Sequence, residues 1–314
     1  MIDSLEAWHA PSWQRFCTQR ERLPHAILLA GSAGLGKRIL LKAMLASLFC
    51  HAPNPADAHA CGRCRGCTVH AAGNHPDLHL LKPELDRVSI GVDQVRAFCE
   101  RLSMTPQANA WQIGVLDPAE AMTVQAANAL LKTLEEPSAN TLLFLVCDQP
   151  GKLLATLLSR TQRWPLKAPS AVDTVIWLTA RNPSASTADV QLAVALAAGA
   201  PLLAQRLLQA GGVSGYRALE GELAELSRAP GGELAFAKRW VGKLPEFVQG
   251  YEQILLNRMK LLASSLTGRS EILSLARRHE QLLKLRDWQG SGVRLDLALS
   301  ALLSEPLSSG GCCV

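Results

Sequence analysis

Long apolar runs are absent from this sequence. No stretch of about 18 or more consecutive apolar residues occurs, although a membrane-spanning helix needs roughly that length. The first residues, Met1–Glu6, show no basic region followed by an apolar run, which is the pattern of an export signal. Because both patterns are missing, we expect the protein to be cytoplasmic.

A strong charge of either sign is also lacking. The 314 residues include 32 Lys and Arg against 27 Asp and Glu, which leaves a net charge of +5 at pH 7. So mild an excess is compatible with a nucleic-acid neighbourhood but does not indicate direct phosphate binding. With 48% hydrophobic and 19% charged residues, the composition is typical of a globular protein that is long enough for two or three domains.

The segment Gly31–Arg38, with the sequence GSAGLGKR, comes within one residue of a phosphate-binding P-loop. A P-loop has the pattern GxxxxGK followed by Ser or Thr. Its backbone N–H groups surround the phosphates, its lysine reaches the β- and γ-phosphates, and its hydroxyl ligates magnesium. Arg38 takes the place of that hydroxyl, and a guanidinium only donates hydrogen bonds and cannot ligate a cation. The residues left to bind a nucleotide are Gly31, Gly34, Gly36 and Lys37.

The surroundings of this loop favour a nucleotide-site scaffold over a simple glycine-rich turn. The apolar stretch Ala26–Ala30 predicts a buried strand, and residues 39–49 predict a helix with Leu41, Leu45 and Leu48 on one face. A strand, a glycine-rich loop and a helix in this order are what a P-loop requires. A turn with no relation to nucleotides is the alternative.

Four of the nine cysteines are closely spaced. In a chain without an export signal, such cysteines are better explained by a metal or by free thiols than by disulfides. Pairs separated by two residues can direct both sulfurs to one metal, and four thiolates make a closed, structural zinc site. The predicted zinc ligands are Cys50, Cys61, Cys64 and Cys67. A CxxC redox pair and a set of reduced loop cysteines are the alternatives. Four nearby histidines are expected to be loop residues and not ligands: His51, His59, His70 and His75.

Apolar segments alternate with helical patterns up to about residue 166. Continuously apolar strands that alternate with helices indicate a parallel sheet covered on both faces, so we predict a doubly wound α/β nucleotide-binding core. After the first strand, the predicted elements are strands at Asp77–Leu81, Ile113–Asp117 and Leu142–Cys147 and helices from about Val92 and over Thr123–Glu136. From about Ala171 the strand signals disappear and helical patterns follow, with a helix start at Pro201 and a linker at Arg228–Gly232.

Five segments carry a family resemblance: Gly31–Arg38, the cysteine group, Gly91–Arg96, Asn128–Pro137 and Leu157–Thr161. Together they resemble the AAA+ clamp-loader subunits of bacterial DNA polymerase III. The resemblance implies an α/β AAA+ core with a RecA-like, doubly wound parallel sheet, a small helical lid and a C-terminal all-α collar. The implied domains are 1–167, with a zinc knuckle inserted at 50–67, then 168–212 and 213–305, before a disordered tail at 306–314. In that tail, Cys312 and Cys313 do not form a prenylation signal.

The resemblance also implies that this chain does not hydrolyse ATP. Asp117 stands where the family's Walker B acid holds magnesium, but Pro118 replaces the glutamate that orients the attacking water in active relatives. At Val146-Cys147-Asp148 the chain lacks the Thr or Asn with which those relatives sense the γ-phosphate, and Leu202 stands in the region of their second-sensor arginine. Together with Arg38, these changes are four losses in one site, and they leave ATP binding itself doubtful.

Ser159 and Arg160 match the family's Ser-Arg-Cys motif, with Thr161 in place of the cysteine. In the family, this arginine reaches across the subunit interface to the γ-phosphate bound by a neighbour. A guanidinium suits this role because its planar fork meets two phosphate oxygens and stays charged at every relevant pH. The resemblance therefore implies that Arg160 acts in trans as an arginine finger. On the residues alone, a solvated surface arginine is the alternative.

For the whole chain, the resemblance implies a non-hydrolysing clamp-loader subunit that helps to place the sliding clamp on primed DNA. The implied partners are the gamma/tau and delta subunits in a hetero-pentamer, with the clamp and the DNA met through the complex and no membrane. The chain would have no ATPase activity of its own within a DNA polymerase holoenzyme. Two alternatives are an active ATPase that resembles the gamma or tau subunit, with Lys37 binding the nucleotide, and a zinc-dependent nucleic-acid-binding module.

Overall fold

The chain forms two compact units in the computed structural model, which describes residues 5–84, 87–108, 110–228, 231–263, 269–288 and 293–304. The first unit comprises Met1–Thr174 with Gly199–Leu203, and the second comprises Val175–Ala198 with Ala204–Val314. The predicted tail at 306–314, with Cys312 and Cys313, lies outside the described residues. The division into three domains, with boundaries after residues 167 and 212, stays a prediction.

A five-stranded parallel sheet forms the centre of the first unit. Its strands are β1 (Ala26–Ala30), β2 (Leu78–Leu81), β3 (Gln112–Leu116), β4 (Thr141–Cys147) and β5 (Gln162–Pro165). Their spatial order is β2-β3-β4-β1-β5, and each neighbouring pair is parallel. Every residue of β1, β3 and β4 is buried, as expected for parallel strands that are covered on both faces. The predicted α/β core with a parallel sheet is confirmed.

The strand register brings three loops to one edge of this sheet. Ala30 at the end of β1 pairs with Cys147 at the end of β4, and Leu116 at the end of β3 pairs with Leu145. The loops that follow these strands therefore start side by side. In open parallel sheets, ligands bind at this carboxyl edge where neighbouring connections diverge. The P-loop, Asp117 and Asp148 all lie here.

Helices alternate with the strands of the first unit. They are α1 (Ala10–Gln19), α2 (Lys37–Phe49), α3 (Arg65–Ala71), α4 (Val92–Leu102), α5 (Val124–Glu135) and α6 (Ala155–Arg160). The predicted buried face of α2 is present, but this helix also buries Leu40 and Met44. Arg38 and Lys42, one turn apart, are exposed and mark the remaining side of the helix. The core of the first unit therefore packs against most, but not all, of the helix that begins at the P-loop lysine.

Helix α5 shows how local sequence sets its ends and its buried face. The Thr123 side chain accepts a hydrogen bond from the backbone N–H of Ala126 and so caps the helix. Ala127, Leu130 and Leu134 are buried, whereas Leu131 is only partly buried. The helix therefore packs one apolar stripe against the core and leaves the opposite side to solvent.

Strand β5 was missed by sequence reasoning, which ended the core near Trp164. Its residues, Gln-Arg-Trp-Pro, show neither an apolar run nor a clear alternation. The strand exists because it pairs with β1 at the sheet edge, from Ile27 opposite Gln162 to Ala30 opposite Pro165. A proline is tolerated there because an edge strand leaves one side unpaired.

The C-terminal part of the chain is helical throughout the residues that the structure describes. Its helices are α7 (Ala171–Arg181), α8 (Thr187–Leu196), α9 (Pro201–Gln209), α10 (Gly212–Arg228), α11 (Glu233–Val241), α12 (Leu244–Ala263), α13 (Arg269–Asp287) and α14 (Leu295–Ser304). In the second unit, Phe236, Trp240, Phe247 and Tyr251 form a row of ring contacts inside the core. The predicted change to helices and the helix start at Pro201 are confirmed. Among the described residues, no helix has the length and apolar character needed to cross a membrane.

Candidate functional site

The P-loop adopts a conformation that only glycine accommodates easily. Gly34 and Gly36 both have left-handed φ angles, 84° and 82°. A Cβ atom on Gly34 would also lie 2.7 Å from the backbone nitrogen of Leu203, which is too close for any other residue. Helix α2 starts at Lys37 directly after this turn. The backbone geometry of a phosphate-binding loop is therefore retained.

The ammonium group of Lys37 is fully engaged by the chain itself. Its Nζ atom donates to the carbonyl oxygens of Gly31 at 2.5 Å and Ser32 at 2.7 Å, and it forms an ion pair with Asp148. An ammonium has three donor hydrogens, so these three acceptors use them all. The side chain is only 4% exposed. To reach a phosphate, Lys37 would have to give up at least one of these partners.

Arg38 binds the carboxylate that was predicted to hold magnesium. Its Nε atom lies 2.7 Å from Asp117 Oδ2, and its Nη2 atom lies 2.8 Å from Oδ1. The hydrogen bond to Asp117 raises the pKa of Arg38. A forked contact of this kind engages both carboxylate oxygens and pairs the negative charge of the acid, so a metal ion would have to compete with the guanidinium for it. Asp117, which directly follows β3 as predicted, thus has a partner that sequence reasoning did not find.

Glu120 has a positioning role that its place in a short helical turn, Ala119–Ala121, did not reveal. Its Oε1 atom accepts hydrogen bonds from the backbone N–H groups of Asp148 at 2.9 Å and Gln149 at 3.2 Å. Burial, together with the hydrogen bond to Glu120, raises the pKa of the neighbouring Cys147 to about 12. Glu120 therefore holds the start of the loop after β4, where Asp148 meets Lys37.

Two further elements cover the P-loop. The backbone N–H of Leu202 donates to Gly34 O at 3.0 Å, so the start of α9 lies directly on the loop. On another side, Trp8 Nε1 donates to Leu35 O at 2.9 Å, and His9 Nε2 lies 2.7 Å from the same oxygen. Burial lowers the pKa of His9. The N-terminal contacts were not predicted, because nothing in the local sequence pairs Trp8 with a residue so far along the chain.

Arg160 lies at the surface, at the last position of α6. Its Nη2 atom forms an ion pair with Glu135 Oε1 at 2.7 Å, and its Nη1 atom donates to Thr156 O and Ser159 Oγ at 3.2 Å. The two charged side chains are 36% and 50% exposed. Pairs this exposed contribute about 0–1 kcal/mol, so Arg160 can exchange Glu135 for another anion at little cost.

The four cysteines predicted to bind a metal do come together. Their sulfur atoms all lie within 4.8 Å of one another. Cys61 and Cys67 have sulfurs 4.0 Å apart, and those of Cys50 and Cys64 are 3.9 Å apart. Tetrahedral zinc with Zn–S bonds of about 2.3 Å places its sulfurs about 3.8 Å apart, so the cluster has the dimensions of such a site. The cluster can therefore hold a metal ion.

Backbone donors around the cluster stabilise thiolates. Burial opposes ionisation of Cys64, but its sulfur accepts hydrogen bonds from the N–H groups of Cys67 and His51, and the pKa of Cys64 falls to about 6. Burial and the hydrogen bond to Cys64 raise the pKa of Cys67 to about 12. The backbone donors thus favour the thiolate of Cys64. A thiolate is the form that binds a metal.

Gly66 allows the cluster to close. A Cβ atom at this position would lie 1.9 Å from the carbonyl oxygen of Phe49, so no larger residue fits. The nearby histidines pack as rings, with His75 stacked on Phe49 at 3.7 Å and His59 stacked on Trp13 at 4.6 Å. Among the described residues, the group of possible metal ligands contains the four cysteines and no histidine.

Comparison with known proteins identifies the family. The family model described as DNA polymerase III, delta subunit, matches residues 12–170, which are half of the chain and contain the P-loop, the cysteine cluster and Arg160. The chain belongs to this family of DNA polymerase III subunits. DNA polymerase III subunit delta′ of Pseudomonas aeruginosa is 42% identical over 200 residues, covering 64% of this chain and 60% of that protein. The sequence motifs described above also resemble those of the delta′ subunit within the clamp-loader group, and the comparison confirms this resemblance.

Two other relatives extend the comparison. Subunit delta′ of Escherichia coli is 37% identical over 204 residues, 64% of this chain and 60% of that protein. DNA polymerase III subunit tau of Bacillus subtilis is 32% identical over 150 residues, 47% of this chain and 25% of that protein. The chain thus matches about 60% of the length of its delta′ relatives.

Proposed function

We propose that this chain is a non-hydrolysing clamp-loader subunit that lends Arg160 to the ATP site of a neighbour. The observation that carries the first half is the forked contact between Arg38 and Asp117. In an active site of this type, a hydroxyl and an acid hold the magnesium ion that neutralises the phosphates. Here the position of the hydroxyl carries a cation that cannot ligate a metal and that pairs with the acid, so both magnesium-holding groups are compromised.

The motif position and the surface geometry of Arg160 support the second half. The guanidinium of Arg160 is exposed and forms one weak ion pair. The ammonium group of Lys37 is buried and already has an acceptor for each of its three hydrogens. Of these two cations, Arg160 is the one that another subunit's triphosphate can approach. An arginine donated in trans accelerates phosphoryl transfer by on the order of 10³ to 10⁵.

The remaining parts of the chain fit an assembly role. We propose that residues 168–212 form the lid and 213–305 the collar through which the chain binds gamma/tau and delta subunits in a hetero-pentamer. Through that complex it would help to load the sliding clamp on primed DNA. The delta′ names of the relatives and the helical C-terminal part support this assignment.

We further propose that the cysteine cluster binds one structural zinc ion. Four thiolates would complete the tetrahedral coordination and leave no open position for a substrate, as structural sites do. The cluster follows directly on the buried helix α2, since Cys50 is its C-cap residue. Its function would then be to fix the inserted segment against the end of that helix.

Changing Arg38 to serine should not make the isolated chain an ATPase. The substitution restores a hydroxyl at the magnesium position and releases Asp117, but Pro118 still stands where active relatives have the water-orienting glutamate. We expect no phosphate release above the wild-type background in a coupled assay with excess magnesium and ATP.

Two controls make this assay decisive. The Lys37→Ala chain should match the wild type, because a chain without turnover has no lysine-dependent rate to lose. Rapid hydrolysis by Arg38→Ser, or wild-type hydrolysis that disappears with Lys37→Ala, would instead favour the active-ATPase alternative.

A further inference from the structure

We propose that the carboxylate of Asp148 is an internal anion of the P-loop: it occupies Lys37 in place of a nucleotide phosphate, and removing its charge opens the loop to a polyphosphate. This inference concerns the occupancy of the P-loop in the isolated chain. It does not require Arg160, or any partner subunit, to act as proposed above.

The saturation of Lys37 is the first step of the argument. Two of its hydrogens go to loop carbonyls that belong to the P-loop itself, Gly31 O and Ser32 O. Only the third, which points to Asp148, meets an anion. In a working P-loop, the anion that the lysine meets is a phosphate. The carboxylate of Asp148 therefore accepts the ammonium hydrogen of Lys37 that a phosphate oxygen would otherwise accept.

The loop that carries Asp148 is held in place, which is the second step. Glu120 accepts the backbone N–H groups of Asp148 and Gln149 and so fixes the chain just beyond β4. Glu120 itself comes from the turn after Asp117. The backbone that carries the Asp148 carboxylate is therefore anchored on a neighbouring loop.

Charge balance at the sheet edge is the third step. Three carboxylates, those of Asp117, Glu120 and Asp148, face two cations, Lys37 and Arg38. The group as a whole is negative, and a polyphosphate brought to it would meet repulsion. Replacing Asp148 with asparagine brings the two signs into balance and leaves only a neutral amide oxygen to accept the third hydrogen of the ammonium.

The backbone donors of the loop are available to an anion, which is the fourth step. Over the part of the chain that the structure describes, the N–H groups of Gly34 and Gly36 donate no hydrogen bond to another residue. Left-handed glycines with free N–H groups before a helix form the concave donor set that binds phosphate. The backbone donors of the anion site are therefore present, whereas its lysine is paired with Asp148.

Inorganic tripolyphosphate is the appropriate probe. His9 and Leu202 crowd Gly36, where a Cβ atom would lie 2.7 Å from His9 Nε2 and 3.2 Å from Leu202 Cδ1. A nucleoside would need room beside the loop, whereas tripolyphosphate tests the phosphate position alone. Binding is measured by isothermal titration calorimetry on the full chain without magnesium, and folding of each variant is checked by its melting temperature.

We expect Asp148→Asn to bind tripolyphosphate at least about tenfold more tightly than the wild type, because Lys37 then exchanges a neutral amide oxygen for a charged phosphate oxygen. Asp173→Asn is the matched control, because it removes the same charge from an exposed helix start and should bind like the wild type. The double variant Lys37→Met with Asp148→Asn should lose the gain. Equal affinity of Asp148→Asn and wild type, or a gain that survives the loss of Lys37, overturns the proposal.

A second measurement covers the case in which Asp148→Asn does not fold. If Asp148 already occupies Lys37, then Lys37→Met in the otherwise unchanged chain should leave the weak wild-type affinity for tripolyphosphate as it is. A severalfold loss on that single substitution would mean that the lysine binds phosphate despite Asp148, and the proposal would be wrong.

Discussion

Replacing Arg160 with alanine should slow ATP hydrolysis by the assembled clamp loader by on the order of 10³-fold at the site that receives this arginine. Alanine removes the planar fork and its charge, and nothing else on α6 can replace them because the helix ends at this residue. The measurement is single-turnover ATP hydrolysis by the reconstituted complex in the presence of clamp and primed DNA. Assembly, followed by size-exclusion chromatography, should be unchanged, since Arg160 loses only one weak ion pair and two exposed hydrogen bonds within its own helix.

A neighbouring arginine provides the control for this experiment. Arg163 is exposed and lies three positions further along the chain, so Arg163→Ala removes the same charge from nearly the same surface. It should leave the rate unaffected. The conservative change Arg160→Lys keeps the charge but loses the fork, and we expect it to remain slow because lysine offers a point charge in place of two parallel hydrogen bonds. Full hydrolysis by the Arg160→Ala complex would remove this residue from the mechanism.

Replacing Cys64 with serine should abolish metal binding and cause the largest loss of stability of the changes considered. Structural zinc sites in small domains bind with apparent free energies of about 10–16 kcal/mol, so even a partial loss outweighs most single contacts. Cys64 accepts hydrogen bonds from two backbone N–H groups, which favour its thiolate. We expect metal content to fall from one zinc ion per chain to almost none, with a melting temperature lower by on the order of 10 °C.

Cys17→Ser is the matched control for the zinc prediction. Cys17 lies outside the cluster, and its thiol donates to Asp57 O at 3.4 Å, a bond that a serine hydroxyl can also form. Metal content, measured by plasma mass spectrometry after gel filtration, should stay at one ion per chain in this variant. If Cys64→Ser kept its full zinc content, the ligand assignment would be wrong. A wild-type chain purified without metal but stably folded would contradict the structural role.

Much of the core could be predicted because its signals are local. Strands β1, β3 and β4 are continuous apolar runs, and such runs indicate buried parallel strands whatever lies next to them. The cysteine cluster was equally accessible, since the spacing of three thiols in seven residues leaves few geometries. In both cases the information lies within a short stretch of sequence.

The ion pairs that Arg38 and Lys37 of the P-loop form could not be predicted in the same way. Arg38 and Asp117 are 79 positions apart, and their pairing depends on the order in which β1, β4 and β3 lie side by side. The sequence indicated only that Arg38 could not ligate a metal. The sheet register brings Arg38 to Asp117 and Asp148 to Lys37, and the local sequence does not contain this information.

A single helix connects the P-loop to the cysteine cluster. Helix α2 begins at Lys37 and ends at Phe49, and Cys50 follows as its cap. At 1.5 Å per residue, its 13 residues make a rod of about 20 Å. Because ten of its 13 residues are buried and only the side that carries Arg38 and Lys42 is exposed, a shift at one end is opposed along most of the helix. Loss of the metal should therefore be felt at the Lys37–Asp148 pair, which makes the ion pair a distant reporter of whether the cysteine cluster is intact.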